Sequence, residues 1–167
     1  MKSRSIEIKW GILFGIIGLI WMLLEKSMGL HDENIEKHAI YTNFFGILAI
    51  ITYVVALLDK RKNHYNGFMS WKQGFVSGLI ISIIVAVLTP ITQYIVHTFI
   101  SPDFFTNMQS HAVDTGKMTK EAAEKYFSLG SYILQSAVFA LVAGAITAAI
   151  VALFVRKKPK NRSEPEA

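Results

Sequence analysis

Residues 73–100 read QGFVSGLIISIIVAVLTPITQYIVHTFI, 28 residues without a Lys, Arg, Asp or Glu. As a helix this run extends about 42 Å at 1.5 Å per residue, more than the roughly 30 Å hydrocarbon core of a bilayer. A helix on the surface of a soluble protein carries charges on its outward face, and this one has none to offer. The stretch therefore predicts a membrane-spanning helix. Ser70, three residues before Gln73, marks its start, because each side chain can satisfy the other's free backbone amide. Ser101-Pro102 marks its end, and Pro90 inside it removes one backbone hydrogen bond, which predicts a bend that membrane helices tolerate.

Three further uncharged runs surround it. Trp10 to Leu24 is only 15 residues long, and spans if Lys9 and Glu25 lie at the membrane edges with their charged tips turned outward. Lys2 and Arg4 give this segment some likeness to a cleaved leader, but Lys26 to Gly29 offers no small-x-small cleavage site, so a retained span is expected. Ala39 to Leu58 has the 20 residues one crossing requires, and Tyr126 to Val155 has 30, stopped by Arg156-Lys157-Lys158-Pro159. The whole chain agrees: of 167 residues 52% are apolar and 17% charged, with a mean hydropathy of +0.38, a balance foreign to soluble domains. With no cysteine there is no disulfide framework and no thiolate ligand. The net charge of +5 does not point to nucleic acid, because the basic residues flank the apolar runs instead of forming a stripe.

The expected architecture is all-α, an integral membrane bundle of four transmembrane helices in one domain, 1–158, with spans at about 8–29, 39–58, 71–100 and 126–155. A disordered tail is expected at 159–167. Lys plus Arg number 3, 2, 4, 3 and 5 on the five successive flanks, and 8 of the 12 acidic residues lie on the second and fourth. The positive-inside bias then places both termini in the cytoplasm. The loop 101–125 is extracytoplasmic in that orientation and reads as two helical pieces. Ser101 can cap the first, with Pro102 at its first position and Phe104, Phe105, Met108 and Ala112 on one side against the outer leaflet, until Gly116 ends it. Thr119 starts the second, which is expected to continue unbroken into the last span.

Laid out at 100° per residue, each span gathers its small and polar residues on one side, the signal by which membrane helices pack. The stripes run through Gly11, Gly15, Gly18 and Glu25; through Thr42, Gly46, Ala49, Tyr53 and Ala56; through Gly74, Gly78, Ser82, Thr89, Gln93 and His97; and through Ser136, Ala140, Gly144 and Ala148. A compact bundle with these faces inward follows, or a homo-oligomer if some face a second copy.

Candidate chemistry is sparse. Ser82, Thr89, Gln93 and His97 form a polar track beside Pro90 that can line a pathway in a small transporter or channel subunit. The bland alternative is that His97 is solvated at the outer interface and that Gln93 bonds across to Thr42, Asn43 or Gln135. Glu25 is read as ending its helix, and His31, Asp32, Glu33, Glu36 and His38 as a solvated loop, since histidines seven apart are not a metal spacing. No nucleophile elbow, phosphate loop or dinucleotide fingerprint is present. The expectation is a non-enzymatic structural or interaction bundle with no catalytic residue, cofactor or metal. Its partners are the bilayer and, beyond it, a second copy or another membrane protein.

The stretch Gly67-Phe68-Met69-Ser70-Trp71-Lys72-Gln73-Gly74-Phe75, then Gly78, Ser101-Pro102-Asp103-Phe104 and Gly116-Lys117-Met118-Thr119-Lys120-Glu121, resembles the domain of unknown function 4199 family. The resemblance covers Trp10 to Lys157. It implies a small four-helix protein of the bacterial inner membrane and transfers no catalytic residue, ligand or partner.

Overall fold

The structure, a computed structural model, describes residues 4–159. The tail expected to be disordered lies, from residue 160 on, outside them. Four helices are long and apolar enough to cross a membrane: Ser5–Ser27, Ile35–Asn63, Trp71–Ile100 and Leu129–Val155. The exterior is not that of a soluble protein. Val87, Phe99, Phe139 and Phe154 are at least 70% exposed, while Glu7, Glu25, His31 and Lys60 are at most 2% exposed. Large apolar side chains outside and paired charges inside are what hydrocarbon as solvent selects, and the chain is a multi-pass membrane protein.

Helix α1 (Ser5–Ser27) is longer than the uncharged run, and takes in Glu7, Lys9 and Glu25. The second span is broken into α2 (Ile35–Tyr41), a tight turn at Thr42–Phe44, and α3 (Phe45–Asn63). Helix α4 (Trp71–Ile95) begins as expected: the Ser70 hydroxyl accepts from the Gln73 N–H at 3.3 Å, and Gln73 Oε1 accepts from the Ser70 N–H at 2.8 Å. Pro90 lies inside it, and the helix widens into a π-turn at Val96–Ile100. Two short helices follow, α5 (Phe104–Asp114) and α6 (Lys120–Tyr126), then α7 (Leu129–Val155).

Three expectations for this connection are corrected. Ser101 does not cap α5; its hydroxyl is buried and has no hydrogen-bond partner among the described residues. Helix α6 does not run into the last span: Phe127 turns out of the helix and is buried against Ala112 and Ala123, and Ser128 opens α7 by accepting from the Ser131 N–H. The apolar side of α5 does not lie on lipid, because Phe104 and Ala112 are buried in the protein. Burying an aromatic against the bundle removes more apolar surface than the interface would. Gly116 does end α5, at φ +67°, with the Lys117 N–H reaching back to the Ala112 carbonyl.

The closest pairing is α4 with α7, and α1 and α7 lie on opposite sides of the α3–α4 pair. Small residues make the approach possible: Gly74 faces Ala152, Gly78 faces Ala148, and Gly144 faces Ser82 and Tyr53. Gly11 meets Ile84, and Gly15 and Gly18 pack on Thr92 and Phe45, while Ala140 is half-buried. Gly46 departs from its expected packing role: it is exposed, with nothing within 4 Å of where a Cβ would stand. No residue of α3 before Thr52 is buried, and Gly46 lies on the open side of the helix, next to Phe45, whose ring packs on Phe14 and Trp21 of α1.

The main core, Tyr53, Ala56, Leu57, Met69, Ile81, Ala148, Val151, Ala152 and Val155, therefore lies toward one end of the bundle. That end is tied by a two-residue ladder, Met69 and Lys157 exchanging N–H to O=C bonds of 2.9 Å, and by Arg61 donating to the Val155 carbonyl. The opposite end is closed by α5 and α6.

Candidate functional site

The polar track on α4 comes first. Ser82 Oγ is 2.7 Å from the Tyr53 hydroxyl of α3 and bonds back to the Gly78 carbonyl. Thr89 donates to the Val85 carbonyl, Gln93 donates to Ser136 Oγ on α7 at 2.9 Å, and Gln93 Oε1 is 2.9 Å from His97 Nε2. Gln93 thus reaches Ser136 and none of the three partners expected for it. His97 is not solvated: it is 9% exposed and stacked on Phe105 with centroids 4.0 Å apart. Cavities of about 270 and 310 Å³ at opposite ends of the molecule are among those on its surface, and neither of these is lined by Ser82, Thr89, Gln93 or His97.

At the Met69–Lys157 end, three helices converge on Glu7. Lys60 Nζ of α3 stands 2.9 and 3.1 Å from its two oxygens, Ser77 of α4 donates to it at 2.8 Å, and Arg4 lies 3.8 Å away. Next to it, Lys9, Trp10 and Asn63 all bond Asp59, so the Lys9 tip is held by a protein carboxylate. None of this was expected from the sequence. The signal was present, because Glu7 lies one turn before Gly11 on the glycine stripe of α1, and Lys60 one turn after Ala56 on the stripe of α3.

At the opposite end, Glu25 turns inward and is 1% exposed, contrary to its expected place at the membrane edge. Its Oε1 accepts from Trp21 Nε1 one turn earlier, and its Oε2 is 3.2 Å from His31 Nε2 and 3.5 Å from His38 Nδ1. The chain gets back to Glu25 through Gly29 at φ +71°, a left-handed turn that returns the Leu30 N–H to the Glu25 carbonyl. The loop expected to be solvated is thus folded in at its two histidines, with His31 fully buried and His38 half-buried. Phe104 is the reason: its ring centroid is 5.0, 5.1 and 5.2 Å from those of His31, His38 and His97. Asn107 of the same helix donates to the His31 carbonyl at 2.9 Å. Asp32, Glu33 and Glu36 stay at the rim, and the hydrogen bond from Lys26 holds the Asp32 carboxyl below the usual carboxylate range.

A family model described as a protein of unknown function (DUF4199) matches residues 9–157. No curated protein and no solved structure matches the chain.

Proposed function

We propose that this chain, which belongs to the DUF4199 family, is a non-enzymatic structural or interaction protein of the bacterial inner membrane, with both termini in the cytoplasm. One observation carries this reading. The polar groups of the spans bond to one another, Gln93–Ser136, Tyr53–Ser82 and Lys60–Glu7 across helix interfaces and His97–Gln93 one turn apart on the same span. A pathway needs polar groups turned toward a continuous wet cavity, whereas groups bonded to each other hold helices in register. The orientation rests on the basic residues being concentrated at the end where Arg61, Lys72, Arg156 and Lys157 gather.

The bundle's partners in this reading are the bilayer and, through its exposed apolar sides, a second copy or another membrane protein. The test is Gln93→Leu, assayed in proteoliposomes for ion and proton flux and in detergent for thermal stability. Removing the bond to Ser136 should lower stability by about 1 kcal/mol and leave flux at the protein-free baseline in both forms. Flux above that baseline in the native chain, abolished by Gln93→Leu, would make the protein a small transporter or channel subunit instead.

A further inference from the structure

We propose that Glu25, His31 and His38 form a binding site for one divalent transition cation of the zinc class. The three donors, a carboxylate oxygen and two imidazole nitrogens, all lie within 4.8 Å of one another. Donors placed about 2.0–2.2 Å from a tetrahedral ion stand roughly 3.3 Å apart, and the Glu25 Oε2 separations from His31 Nε2 and His38 Nδ1 are 3.2 and 3.5 Å. A hydrogen bond explains the first contact. It does not explain the second, since His38 Nδ1 is buried, faces the same oxygen and makes no hydrogen bond. Two imidazoles on one carboxylate oxygen suit an ion set among the three.

The electrostatics point the same way. Glu25 is buried and has no Lys or Arg within ion-pair distance among the described residues, unlike Glu7 at the other end, which has Lys60. A carboxylate removed from water needs a compensating charge, and a divalent ion supplies it while leaving both imidazoles neutral. The outer contacts fix the donors: Trp21 holds the second carboxylate oxygen, Asn107 the His31 backbone, and Phe104 packs against both rings. Ions have a way in. The cavity of about 310 Å³ beside His31 is lined by Asp32, Asn107, His111 and Asp114, whose carboxylates attract cations. The bound ion would tie the end of α1 to α2 across the Met28–Asn34 turn.

The full chain, purified in detergent with a histidine-free tag and stripped of metal, is dialysed against Zn(II), and separately titrated with Co(II) to read the visible bands of tetrahedral coordination. One zinc per chain and a tetrahedral Co(II) spectrum are expected. Glu25→Gln and His38→Gln should each weaken binding by at least roughly 100-fold, more than the loss of an outer-shell contact. His64→Gln, at the other end of the bundle, should leave it unchanged. If Glu25→Gln fails to fold, the half-buried His38→Gln carries the test. No saturable zinc binding by the folded native chain would overturn the proposal. So would binding that survives His38→Gln, or binding lost in His111→Gln alone, which would place the ion in the outer cavity.

Discussion

Replacing Lys60 with methionine removes the ammonium that faces both oxygens of Glu7 while keeping most of the side chain's volume. Among the described residues the buried carboxylate then keeps the Ser77 hydroxyl at 2.8 Å and the Arg4 guanidinium at 3.8 Å. Breaking a buried ion pair on one side costs about 3–5 kcal/mol, and the two remaining contacts place this case near about 3 kcal/mol. For a chain of this length each kcal/mol moves Tm by about 2–4 °C, so a fall of about 6–12 °C is expected. The double replacement Glu7→Leu with Lys60→Met removes both charges of the pair, leaves neither buried without the other, and should return Tm to within about 3 °C of the native value. Thermal unfolding in detergent, followed by circular dichroism, gives all three values. If the single and double variants fall equally, the cluster matters for its packing volume alone and the electrostatic reasoning fails. If Lys60→Met loses nothing, Glu7 is not buried in the folded protein.

Gly78→Val should destabilise the bundle by about 1–3 kcal/mol, because the added Cβ meets Ala148 on α7 and the two helices must separate. Gly46→Val, on an open face, should leave Tm within about 1 °C in the same assay. Phe104→Ala removes the ring around which three histidines pack and should cost about 3–5 kcal/mol, with faster amide hydrogen exchange in α5 and at His31 than in the Tyr53 core. Equal protection at the two ends would show that Phe104 does not hold the loop down.

The four spans were legible because long uncharged runs have few alternatives, and the Ser70–Gln73 start because its side-chain chemistry is local. The buried ion pair was hidden by the same rule. Charged residues border the uncharged runs, so Glu7 and Lys60 fall outside the faces they complete, although each continues its stripe by one turn. The Glu25 site was hidden for another reason. Its ligands are brought together by the Gly29 turn and by Phe104, about eighty residues further on, and no spacing within α1 or α2 encodes that contact. The break at Phe127 likewise depends on what Ala112 and Ala123 offer an aromatic ring, not on local helix propensity.

Four crossings of the hydrocarbon put both ends of the chain on one side of the bilayer. Single cysteines at Glu33, His64 and Asp114, exposed positions in a chain that has no cysteine of its own, report this directly. In intact cells a membrane-impermeant maleimide should label the first and third and reach the second only after lysis. Labelling of His64→Cys in intact cells together with either of the others, or opposite behaviour of Glu33→Cys and Asp114→Cys, would contradict it.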